Sequence, residues 1–126
     1  MSPKQFTDLA AKHGTPLYVY SAARIAGRAR ELRAALAAID QNTTLCFAAK
    51  ALSAIKVLRL IRDAGASVEV NSGGELYRAK LAGFPPDAIV FNGVAKSEAE
   101  LAEAVFVTAA LRAGAAVTHG THLIEA

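Results

Sequence analysis

Three short apolar runs, beginning near Thr44, Ser67 and Ala88, are each followed by a stretch in which apolar residues recur at three- and four-residue steps. A period of two giving way to a period of 3.6 marks a strand leading into a helix. Antiparallel neighbours need only a tight turn, whereas a helix between strands is the crossover that joins parallel ones, right-handed by rule. The chain therefore reads as α/β, about three to four βα units whose strands lie side by side in a parallel sheet or barrel.

Local signals place the elements. Pro3 to His13 reads as a short helix that Gly14 ends, and Pro16 to Tyr20 as a strand with proline first, where the missing N–H does least harm. Ser21 can cap a helix from Ala22 to Ile39, whose apolar face is Ile25, Ala29, Leu32, Leu36 and Ile39. After the turn Asp40-Gln41-Asn42 comes the strand Thr44 to Lys50. Ser53 can cap the next helix, with Ile55, Leu58 and Ile61 inward, Lys56, Arg59 and Arg62 toward water, and Gly65 as its left-handed terminator. Ser67 to Asn71 is the second strand, and Ser72 with Glu75 makes a capping box for a helix ended by Gly83. Pro85-Pro86-Asp87 turns the chain into a third strand, Ala88 to Asn92. Ser97 with Glu100 is another capping box, and the helix beyond it carries Leu101, Val105, Thr108 and Ala109 on one face. The expected organisation is one partial domain over 1–126. Residues 1–43 form a helix, a strand and a helix, 44–113 hold the repeating units, and 114–126 are a divergent tail.

Polar groups gather where the three strands end. Alternation puts Lys50 on the face of Ala48 and Cys46, away from Ala49, Phe47 and Leu45. An amine among small neighbours at the end of a buried strand is desolvated, which lowers its pKa and makes it a nucleophile toward carbonyl compounds. The alternative is a lysine that snorkels to water or pairs with a carboxylate. In the second strand Val68 and Val70 face the helices, which leaves Glu69 and Asn71 opposite, beside Lys50. There Glu69 holds the amine, relays its proton, or is simply its buried ion-pair partner. Gly73-Gly74 opens a helix whose free N–H groups suit an anion, or is only a tight turn. Lys96, after Asn92-Gly93, is a second cation near this end or a solvated lysine.

Composition narrows the classes. A hydrophobic fraction of 53% excludes a disordered chain. A net charge of +3, with Arg24, Arg28, Arg30 and Arg33 on one helix and no aromatics among them, reads as a solvated face rather than a nucleic-acid surface. The single cysteine, Cys46, forms no internal disulfide and fits a reducing, cytoplasmic setting. His119 and His122 stand three apart without a cysteine or carboxylate pattern, so no metal site is expected. No apolar run is long enough to cross a bilayer and no leader pattern is present. The usual nucleotide and hydrolase motifs are missing.

Several stretches stand in a familiar order: Gly14-Thr15-Pro16-Leu17-Tyr18-Val19-Tyr20, Phe47-Ala48-Ala49-Lys50-Ala51, Val70-Asn71-Ser72-Gly73-Gly74-Glu75-Leu76, Ala82-Gly83-Phe84-Pro85-Pro86, and Ile89-Val90-Phe91-Asn92-Gly93 with Lys96-Ser97. Together, over roughly Gly14 to Ala104, they resemble the N-terminal part of diaminopimelate decarboxylase and its relatives, the pyridoxal-phosphate-dependent decarboxylases of basic amino acids with the alanine racemase fold. The resemblance implies a partial (β/α)8 TIM barrel, which when complete takes about 250 residues. It implies pyridoxal 5'-phosphate as cofactor, with Lys50 as the Schiff-base lysine and Glu69 and Ser72 among the cofactor-binding positions. It further implies an amino acid substrate, a homodimer for the full-length family, and Tyr18 to Tyr20 as matching a strand of a second, β-rich domain. The chain departs from the family at Ala51-Leu52-Ser53-Ala54, where an asparagine-containing segment is usual, at Glu69, where aspartate is common, and after Ala104. The expected activity is that of a carboxy-lyase in lysine biosynthesis, with the isolated chain inactive. A truncated partner-binding relative and a racemase-like cofactor binder are the alternatives.

Overall fold

The computed structural model describes residues 1–94, 96–112, 116–117 and 123–124. Helix α1 (Pro3–His13) begins at Ser2, whose side chain forms a full capping box with Gln5, and stops at Gly14. Helix α2 (Ala22–Ile39) starts at Ser21, whose hydroxyl accepts the Arg24 N–H as expected. Then come β1 (Cys46–Ala48), α3 (Ile55–Asp63), β2 (Ser67–Val70), α4 (Gly73–Ala82), β3 (Ile89–Phe91) and α5 (Glu98–Arg112). The strands pair in parallel in the order β1-β2-β3. Two further short strands, β4 (Ala116–Val117) and β5 (Leu123–Ile124), pair antiparallel with each other.

The core lies between the sheet and its helices. Val68 and Val70 of β2 are fully buried beneath α3 and α4, together with Leu58, Ile61, Leu76, Ala79 and Phe84. Alanine at positions 49, 79 and 82, each with no exposed surface, lets the layers approach closely. Adjacent helices are tied by cations. Arg33 of α2 donates to the Ala64 carbonyl at the end of α3, and Arg62 of α3 donates to the Ala82 carbonyl at the end of α4. Each guanidinium lies where a Cβ on the left-handed glycine just beyond (Gly65, Gly83) would sit, so the glycines make room for the caps as well as the turns.

Several expectations are corrected. Pro16 to Tyr20 forms no strand, and Tyr18 is 86% exposed; a strand needs a partner, and this segment pairs with none among the described residues. The expected face of α2 is only partly covered. Ala29 is buried, but Leu32 lines an apolar groove of about 600 Å³ between α2 and β1 and is exposed, and Ile39 at the end of the helix is exposed beyond it. Ser53 does not cap α3: the N-cap is Ala54, and the Ser53 hydroxyl accepts from Arg78 instead. In α5, Leu101 and Val105 are exposed, since this helix turns Ala104 toward the core; the side chains of Thr108 and Ala109 lie outside the described residues, as do His119 and His122.

Candidate functional site

The parallel register fixes which residues meet on the sheet face away from the helices. Ala48, Glu69 and Val90 stand level across the three strands. One alternation further along the chain come Asn71 and Asn92 at the C-terminal edge, with Lys50 in the turn just beyond β1. Sequence order alone brings these polar groups to one end of one face, because each βα unit returns the chain to the same edge. Glu69 is half-buried and its Oε1 accepts from Asn92 Nδ2 at 3.0 Å. Asn92 in turn extends the ladder, its N–H donating to the Val70 carbonyl at 2.8 Å.

Lys50 departs from expectation in two ways. Strand β1 ends at Ala48, and Ala49–Ala51 wind into one 3-10 turn closed by Leu52 N–H to Ala49 O at 3.1 Å. Ala49 anchors that turn in the core, and Lys50 is exposed. The desolvation expected of it is therefore absent among the described residues. Nor does Lys50 pair with Glu69, which is engaged with Asn92; the turn carries the lysine off the strand line. Its ammonium has no hydrogen-bond or ion-pair partner among the described residues.

The turn after β2 is tightly held. The Ser72 hydroxyl accepts the Glu75 N–H at 3.3 Å as expected, but the Glu75 carboxylate reaches one residue further back than a capping box requires, accepting the Asn71 N–H at 2.8 Å. The Asn71 side-chain nitrogen, Nδ2, is buried without a hydrogen-bond partner. Gly93 packs directly on this residue: with φ at 110°, a Cβ there would lie 2.9 Å from the Asn71 carbonyl oxygen. Lys96 donates to the Gly93 carbonyl at 2.8 Å and lies 5.5 Å from the Phe91 ring, so it braces its own loop.

The anion expected at Gly73 is already there, and it belongs to the chain. Glu100 of α5 accepts the Gly73 N–H on Oε1 at 3.0 Å, while its Oε2 accepts the N–H and hydroxyl of Ser97, each at 3.0 Å. The Ser97 and Gly73 backbone N–H bonds, with the Ser97 hydroxyl, lower the Glu100 pKa from its usual value. The sequence signals the capping box but not the reach to Gly73, which depends on how α4 and α5 pack. A second ionisable group that pattern reading missed is Lys80. Its side chain is 5% exposed, its ammonium has no hydrogen bond, and Glu103 is 3.9 Å away. Burial lowers its pKa, and Glu103 offsets part of that.

Comparison with known proteins agrees with this architecture. Residues 22–111 match the family described as pyridoxal-dependent decarboxylase, pyridoxal binding domain. Diaminopimelate decarboxylase of Bacillus methanolicus is 45% identical over 94 residues, 75% of this chain and 22% of the relative. The Bacillus subtilis enzyme of the same name is 44% identical over 93 residues, 74% of this chain and 21% of the relative. Among solved structures, diaminopimelate decarboxylase from M. jannaschii in co-complex with L-lysine superposes with a TM-score of 0.69 at 36% identity, covering 79% of this chain and 24% of that one. The chain thus spans about a fifth of the length of the curated relatives it matches.

Proposed function

Since the chain belongs to the pyridoxal-dependent decarboxylase family through its pyridoxal-binding domain, we propose that it forms the first βα units of a (β/α)8 barrel that decarboxylates an amino acid of the diaminopimelate class. In this reading 44–113 are barrel units, 1–43 lead into them, and 114–126 are a divergent tail. Lys50 is the residue that carries pyridoxal 5'-phosphate, and the working enzyme is a homodimer.

The observation that supports this most is the convergence of the Lys50 turn, Glu69 and Asn92 on the C-terminal edge of one open sheet face, the end where α/β barrels hold their chemistry. The residues fit the aldehyde end of the cofactor. Lys50 offers an amine without a competing carboxylate, and the unpartnered Asn71 Nδ2 is a donor at the same edge. They do not offer the phosphate end a home at Gly73, because Glu100 fills that helix terminus. Bound pyridoxal phosphate supplies an electron sink for the pair left by a departing carboxylate. This chain's residues then orient and shield. Glu69, held by Asn92, presents its carboxyl group on the cofactor face, and Ser72 fixes the turn that follows. The described residues supply no group for the phosphate, so the isolated chain is expected not to turn over substrate.

A chimaera tests the reading. Residues 14–104 replace their counterparts in the Bacillus subtilis enzyme, and decarboxylation of diaminopimelate is followed by lysine release. The proposal expects measurable turnover that Lys50→Ala abolishes while leaving the fold intact. A folded chimaera whose turnover survives Lys50→Ala would refute the assignment.

A further inference from the structure

The Glu100 carboxylate divides its two oxygens between two helices. Oε1 takes the first N–H of α4, at Gly73, and Oε2 takes the N–H and hydroxyl of Ser97, the cap of α5. Glu100 N–H returns a bond to Ser97 Oγ at 3.2 Å, so the α5 side is a complete capping box without any help from α4. The Gly73 bond is therefore surplus to capping and has a different consequence. It joins the turn after β2 to the loop after β3, and those two segments carry Ser72, Asn71, Asn92 and Gly93. The packing here is close but unstrained: a Cβ on Gly73 would lie in ordinary van der Waals contact with Glu100 Cγ at 3.6 Å and Glu103 Oε2 at 3.7 Å.

We propose that Glu100 is a positioning residue that locks the Ser72-Gly73 turn to the Ser97 cap of α5 at the C-terminal edge of the sheet. The carboxylate acts as a built-in anion for the α4 terminus, where the partial positive charge of the helix and an unsatisfied N–H favour one. The lock does not depend on the cofactor reading, and its test leaves Lys50 untouched.

The charged groups near Glu100 on the elements packed around it are Glu75, Arg78 and Lys80 on α4, Glu98 and Glu103 on α5, and Lys96 in the loop. Four of them have contacts of their own that tell them apart from Glu100: Glu75 with the Asn71 N–H, Arg78 with Ser53, Lys96 with the Gly93 carbonyl, and Glu103 with the Lys80 ammonium. Backbone amide shifts of the full chain, followed by nuclear magnetic resonance from neutral to acid pH, separate them. Gly73 and Ser97 are expected to share one titration midpoint, below the ordinary glutamate range. Glu100→Gln should flatten both, and hydrogen exchange at Gly73 should quicken about tenfold. Glu100→Asp, one methylene shorter, should keep the Ser97 titration and lose that of Gly73. Separate midpoints for Gly73 and Ser97 in the wild-type chain, or a Gly73 titration unchanged by Glu100→Gln, overturn the proposal. The wild-type titration decides the matter even if a variant fails to fold.

Discussion

Gly93→Ala is the substitution whose cost can be worked most directly from the geometry at the candidate site. Gly93 has φ of 110°, outside the region where alanine is comfortable, and its new Cβ would sit 2.9 Å from the Asn71 carbonyl oxygen and 3.4 Å from Asn71 Cα. A sparsely populated backbone conformation costs about 1–3 kcal/mol. The contact adds to this because its partner is backbone at the end of β2, fixed by the Asn92 N–H to Val70 O bond. A total of about 2–4 kcal/mol is expected. With a urea m-value of about 2 kcal/mol/M, the unfolding midpoint should fall by about 1–2 M. Gly74→Ala is the control: the nearest atom to its Cβ is Ser72 Oγ at 4.0 Å, and alanine is favoured over glycine in a helix by up to about 1 kcal/mol. Urea unfolding followed by circular dichroism on both variants checks the pair. Equal midpoints would show that the loop after β3 does not seat on Asn71, and would remove the packing from which the site is built.

Leu58 has no exposed surface and lies in the core between α3 and the sheet, so Leu58→Ala should destabilise the fold by about 2–5 kcal/mol in the same assay. Arg62→Ala removes the donor to the Ala82 carbonyl, and should cost about 1–2 kcal/mol and speed hydrogen exchange at the end of α4 ahead of the rest of that helix. Lys80→Met is expected to match or exceed the wild type at neutral pH, because the folded state holds a poorly solvated ammonium. A lowered folded pKa means the unfolded state binds more protons between that value and the ordinary lysine range, so wild-type stability gains over this window as pH rises. The variant's margin should accordingly shrink toward alkaline pH, and a margin that widens would contradict the burial argument.

The alternation of periods was enough to read the parallel βα order and to place α1 and α2, whose bounds follow from Ser2, Gly14 and Ser21, residues that act locally. The opposed faces of β2 were equally legible, since Val68 and Val70 against Glu69 is a period-two pattern with one outcome. What escaped depends on contacts distant in sequence. Pro16 to Tyr20 has strand composition, but pairing requires an edge that no local signal supplies. The end of β1 at Ala48 is set by the 3-10 turn that buries Ala49, which is why Lys50 is in solvent rather than on the strand. Glu69 is taken by Asn92 from the neighbouring strand, and Glu100 by Gly73 from the preceding helix. The capping glutamates were visible as motifs, whereas their second partners were not, because a motif specifies a spacing along one helix and says nothing of the helix beside it.

The central claim is that Lys50 is the amine that takes the cofactor, and mass mapping after reduction tests it in the chimaera, where the rest of the barrel is present. The protein is incubated with limiting pyridoxal phosphate, reduced with borohydride and digested, and the added mass is located by peptide. The account predicts the adduct chiefly on the peptide containing Lys50, in preference to Lys56, Lys80, Lys96 and the lysines of the Bacillus subtilis portion, and its loss there in Lys50→Arg. Labelling spread evenly over the exposed lysines, with Lys50 no richer than the others, would contradict it.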